Sequence, residues 1–86
     1  MYRYLIESPH ELKDCALILQ QIKAMGYLYN FDWGCQSDVH TGWAIIEVEN
    51  ESQARMVVPW MVREKARIIK LNKFSPAEVD TLHETN

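Results

Sequence analysis

Hydrophobic periodicity along this chain changes in a fixed order, and that order limits the folds open to it. Tyr2 to Glu7 (YRYLIE) is rich in aromatic and β-branched residues and reads as a strand. Ser8 with Glu11 reads as a capping box and Pro9 as the first helical residue. The helix that follows sets Leu12, Cys15, Ala16, Ile18, Leu19, Ile22 and Met25 on one face, with Gly26 as a left-handed cap. Tyr27 to Gln36 alternates Tyr27, Tyr29, Phe31, Trp33 and Cys35 with smaller or polar residues, the period of a second strand, with Gly34 marking a bulge. A polar turn from Ser37 to Gly42 leads into a third strand, Trp43 to Glu49, so these two strands form an antiparallel hairpin.

Asn50 and Gln53 read as the capping box of a second helix, with Ala54, Val57, Val58 and Met61 on one face. Pro59 lacks an N–H and clashes with the preceding turn, so that helix must kink or restart there. Ala66 to Phe74 reads as a fourth strand. Ser75 with Glu78 opens a short helical turn before a frayed tail. The chain of 86 residues is thus one domain, with a core over 1–74 and a tail over 75–86. Strand, helix, strand, strand, helix, strand predicts an α+β, ferredoxin-like βαββαβ fold, a four-stranded antiparallel sheet with both helices on one face. The other face would be bare, yet the third strand carries large apolar residues on both sides, so a second copy is the economical cover.

Nine basic residues against twelve acidic give a net charge of −3, which argues against a nucleic-acid partner. No apolar run suits a membrane span, and no leader pattern is read at the N-terminus, so the expected location is cytoplasmic. Cys15 and Cys35 stand twenty positions apart without a CxxC pattern. Neither they nor His10, His40 and His83 show the short paired spacings of a zinc site. Reduced structural thiols, no metal and no cofactor are the expectation.

The aromatic first strand, Trp33, the stretch GWAIIEVENE from Gly42 to Glu51 and the aliphatic fourth strand carry a resemblance. They resemble an uncharacterised bacterial branch of the dimeric α+β-barrel superfamily, related to GYD and muconolactone isomerase-like proteins and to antibiotic-biosynthesis-monooxygenase-like members. The resemblance implies a homodimer whose sheets enclose a cavity, and it transfers no activity. Pro59 departs from the pattern.

Glu47, a carboxylate between Ile46 and Val48, shares a face with Trp43 and Ile45 and could anchor a ligand or act as a base in such a cavity. Pairing with Arg3, Arg67 or Lys70 is the commoner role for such a group. Trp43, Trp33 and Tyr4 are candidates to line the pocket, although aromatics serve cores and interfaces equally well. Asp32 faces either solvent or the cavity. No catalytic residue is identified. The functional expectation is a module that binds a small apolar or aromatic molecule. The alternatives are an isomerase- or monooxygenase-like enzyme and a structural interaction protein.

Overall fold

A computed structural model of the chain describes the backbone of residues 1–85 and the side chains of residues 1–82. Its strands are β1 (Tyr2–Pro9), β2 (Phe31–Trp33), β3 (Thr41–Val48) and β4 (Arg67–Lys70), and its α-helices are α1 (Cys15–Ala24), α2 (Glu51–Arg55) and α3 (Pro76–Thr85). The sheet has the order β2-β3-β1-β4, and every neighbouring pair is antiparallel. The chain is therefore α+β, built on a four-stranded antiparallel sheet.

Cross-strand register separates the two faces. Tyr4 stands opposite Ile46 and Lys70, Ile6 opposite Ala44 and Ile68, and Phe31 opposite Ala44. Because successive side chains alternate, these residues share the face that the helices cover. Tyr4, Ile6, Phe31, Ala44 and Ile46 join Ile18 and Ile22 of α1 and Ala54 of α2 in one buried cluster. Arg3, Leu5, Glu7, Asp32, Trp43, Ile45, Glu47, Arg67 and Ile69 lie on the opposite face, and none of them is buried.

Several local expectations give way to tertiary structure. The box expected at Ser8 and Glu11 does not form. β1 runs on through Pro9, and Ser8 is buried opposite Gly42 with its hydroxyl unpartnered. Sheet pairing has won over local capping, and α1 begins only at Cys15 after a 3-10 turn at Leu12–Asp14. Leu12, assigned to the buried face, is consequently 69% exposed. The far end of α1 closes as expected: Gly26 adopts φ +87°, its N–H bonds Lys23 and that of Tyr27 bonds Ile22, a Schellman pair.

The second strand is shorter than its aromatic alternation suggested. Leu28–Asn30 and Cys35–Ser37 are 3-10 turns, and Tyr29 is fully solvated because no strand pairs with that segment. β2 is an edge strand, held to β3 only from Phe31 to Trp33. The Asn50 cap does form, its side chain accepting from Gln53 N–H at 2.9 Å. α2 ends at Arg55, and Pro59 starts a separate 3-10 segment, Trp60–Lys65. Arg63 donates to the Val58 carbonyl at 2.9 Å, while Arg55 donates to those of Arg63 and Ala66. The fourth strand contracts to Arg67–Lys70. The Ser75–Glu78 box forms reciprocally and opens a ten-residue helix rather than a short turn. Asn86, at the end of the expected frayed tail, lies outside the described residues. Among the described residues, no helix is long and apolar enough to cross a membrane.

Candidate metal centre

The β1–β3 register continues one step past Pro9 and Thr41, where the His10 N–H donates to the His40 carbonyl at 2.9 Å. That bond sets the two imidazoles beside each other, with ring centroids 6.1 Å apart. His10 keeps the phase of the covered face and is buried. Cys15 arrives from the first turn of α1. Cys35 arrives from the 3-10 turn behind β2, and this turn is pinned to the hairpin. Gly34 N–H donates to the Thr41 carbonyl, and the Gly34 carbonyl accepts from Ser37 and Val39. A Cβ at Gly34 would lie 2.6 Å from the Val39 carbonyl oxygen, so only glycine permits this close turn.

Four donor atoms meet there, all within 4.8 Å of one another. His10 Nε2 lies 3.0 Å from Cys15 Sγ and 3.4 Å from Cys35 Sγ. The two sulfurs are 3.3 Å apart, and Cys15 Sγ is 3.4 Å from His40 Nδ1. Ligands at 2.0–2.3 Å around a tetrahedral zinc ion stand roughly 3.3–3.8 Å from one another. The cluster therefore has nearly the dimensions of a coordination tetrahedron.

The surroundings suit that geometry. His40 Nε2 lies 3.2 Å from Asp38 Oδ1, an arrangement that fixes the proton on Nε2 and leaves Nδ1 free to coordinate. Asp38 reaches this place from a left-handed turn position, φ 63°, which Asp tolerates better than most residues. Burial lowers the pKa of His10, and neighbouring His40 lowers it further, against weaker opposing effects from Asp14 and the Ser8 backbone. The ring is thus favoured in the neutral form that a metal requires. Burial pushes the Cys35 thiol up, and its bond and charge interaction with Cys15 push the same way. A metal ion would have to displace that proton. Both cysteines are free thiols, half-buried.

The candidates singled out by residue type do not converge. Trp43, Glu47 and Asp32 lie on the open face of the sheet, while Tyr4 and Trp33 lie on the covered face. Glu47 is exposed and stands opposite Arg3. Trp43 donates to Glu7 Oε1 at 3.3 Å, and Glu7 also meets Arg67 at 3.3 Å. Tyr4 is a core residue. Trp33 stacks on Phe31 at 5.3 Å and meets the His10 ring edge-on at 6.2 Å, so of these five it alone reaches the cluster. Trp33 and Asp32 also line an open cavity of about 350 Å³ that reaches Cys35.

Residue-type reasoning missed the cluster because it sought short zinc-finger spacings. The chain has a mirrored pair instead: His10 precedes Cys15 by five positions, and Cys35 precedes His40 by five. No family model, curated protein or solved structure matches this chain.

Proposed function

We propose that this chain binds one zinc-like transition-metal ion through His10, Cys15, Cys35 and His40. The observation that carries the reading is the meeting of four nitrogen and sulfur donors within 4.8 Å. Two thiolates and two imidazoles select a borderline-soft ion that accepts tetrahedral coordination, which favours zinc over magnesium or calcium. With four protein ligands the shell is complete, so the ion is structural. It ties the β1–α1 connection to the β2–β3 connection, beside the His10–His40 backbone bond that already joins them. Titration of chelator-stripped, reduced protein with cobalt(II) tests this. Saturation at one equivalent is expected, with the visible absorption of a tetrahedral thiolate site. The weak spectrum of six-coordinate cobalt would overturn the reading.

A second reading concerns the scaffold. We read the order β2-β3-β1-β4 as ferredoxin-like and the molecule as a homodimer of the α+β-barrel kind, with room for a small apolar molecule between the sheets. Leu5, Trp43, Ile45 and Ile69 support it, because they lie on the face that the chain's own helices leave uncovered. Sedimentation at micromolar concentration should then show a two-chain species. A stable monomer, unchanged by Ile45→Arg, would contradict it.

A further inference from the structure

The cluster holds two half-buried thiols in contact, and of the two only Cys35 lines the open cavity. Their sulfurs are 3.3 Å apart, while a disulfide needs about 2.05 Å. A movement of little more than one ångström, within reach of side-chain rotation, separates the two arrangements. Cys15 is the first residue of α1, and Cys35 sits in a 3-10 turn that lines the open cavity together with Leu19, Phe31, Asp32, Trp33 and Gln36. A small polar oxidant therefore has a path to Cys35, and the cavity lining does not include Cys15.

We infer that the metal centre is a peroxide-responsive switch in which Cys35 and Cys15 close into a disulfide and expel the ion. The inference rests on the metal-binding reading above. In the first step the Cys35 sulfur attacks one oxygen of hydrogen peroxide. An S–O bond forms, the O–O bond breaks, and hydroxide leaves, giving a sulfenic acid. In the second step the Cys15 thiolate attacks the Cys35 sulfur. The S–S bond forms, the S–O bond breaks, and a second hydroxide leaves. Two thiolates and one peroxide become one disulfide and two hydroxides, and two electrons pass from sulfur to oxygen. Disulfide sulfurs are poor ligands, so the ion keeps only His10 and His40 and dissociates. A dithiol reductant returns both thiolates and restores the site.

The mirrored spacing gives this pairing a structural consequence. Cys15 and Cys35 belong to the two connections that the ion would hold together, so the disulfide replaces the ion as the tie between them. Oxidation would exchange one cross-link for another, leave the sheet in place and change which groups the loop end presents.

The test uses reduced, full-length protein loaded with one equivalent of zinc. Hydrogen peroxide is added stepwise while a chromogenic chelator reports free zinc and intact mass reports the protein. One zinc released per peroxide is expected, with loss of two hydrogens, a Cys15–Cys35 linked peptide and recovery of zinc binding after dithiol treatment. In Cys15→Ser a sulfenic-acid trap should label Cys35, and in Cys35→Ser it should label Cys15 less. Zinc that loads but stays bound, or leaves without the linked peptide, overturns the switch and leaves the metal centre standing. Failure of zinc to load at one equivalent overturns the metal reading and the switch together.

Discussion

The loop end of the sheet and its open face assemble polar side chains in opposite ways. At the loop end His10 and Cys15 from one stretch of chain and Cys35 and His40 from another bring their donor atoms within 4.8 Å of one another. On the open face Arg3, Glu7, Asp32, Glu47 and Arg67 stand in regular cross-strand rows, linked at most in short chains such as Trp43 to Glu7 to Arg67. Strands hold side chains perpendicular to the sheet at fixed spacings, which gives area but not convergence. Connections can turn a side chain toward a common centre, and here a 3-10 turn on either side of the sheet end does so.

The sharpest way to break this comparison is to remove one member from each region. Cys15→Ser should weaken zinc binding by more than about 100-fold, beyond the loss typical of an outer partner. Glu47→Gln should change neither zinc affinity nor stability by more than about 0.5 kcal/mol, as expected of an exposed residue without a special contact. Competition with a zinc indicator and chemical denaturation measure both. An effect at Glu47 as large as that at Cys15 would erase the distinction between convergent and row-like sites.

Chelation should act on the whole fold through the loop end. Zinc at 1,000 times its dissociation constant stabilises by about 4 kcal/mol. In a domain of this size that corresponds to a rise in melting temperature of roughly 15 °C or more. Thermal melts with zinc and with excess chelator should differ by that amount, and in Cys15→Ser the difference should shrink to about a third or less.

Asp38→Asn sharpens the account within the cluster. Asn keeps the tolerance for the left-handed turn and removes the carboxylate that faces His40 Nε2. Zinc affinity should fall by about 10–100-fold while the melt of the metal-free protein stays unchanged. Unchanged zinc affinity would mean that the Asp38 carboxylate does not orient the imidazole.

The smallest effect is expected far from the cluster, at the start of α3. The Ser75 N–H and hydroxyl hold the Glu78 carboxyl below its ordinary pKa. A depressed carboxyl contributes above its unfolded pKa, and the contribution is lost as pH falls through the folded value. Acidification through the low carboxylate range should therefore lower the helical circular dichroism slightly in the wild type. Ser75→Ala, which keeps the backbone N–H, should weaken that response in part and leave zinc affinity alone.

What the sequence showed and what it hid follow the same division. The strand and helix order is written in side-chain period, so the α+β sheet could be read directly, as could the Asn50 and Ser75 caps and the Gly26 turn, which depend on neighbours within a few residues. The Ser8 cap could not be judged that way, because β1 pairing with β3 competes for the same backbone. The aromatic run Tyr27–Cys35 has a strand's alternation, but among its residues the ladder with β3 takes in Phe31–Trp33. The candidate site chosen by residue type went to exposed rows and core positions. The cluster itself lay one register step beyond the β1–β3 ladder. His10 meets His40 only if β1 continues past the proline, and the mirrored five-residue spacings gain meaning only once that pairing is known.

The central claim is that these four side chains form one coordination shell. X-ray absorption at the zinc edge on the one-to-one complex reads that shell directly. The account predicts two sulfur neighbours at about 2.3 Å and two imidazole nitrogens at about 2.0–2.1 Å. A shell of oxygen and nitrogen alone, or one that keeps both sulfurs in Cys15→Ser, would contradict it.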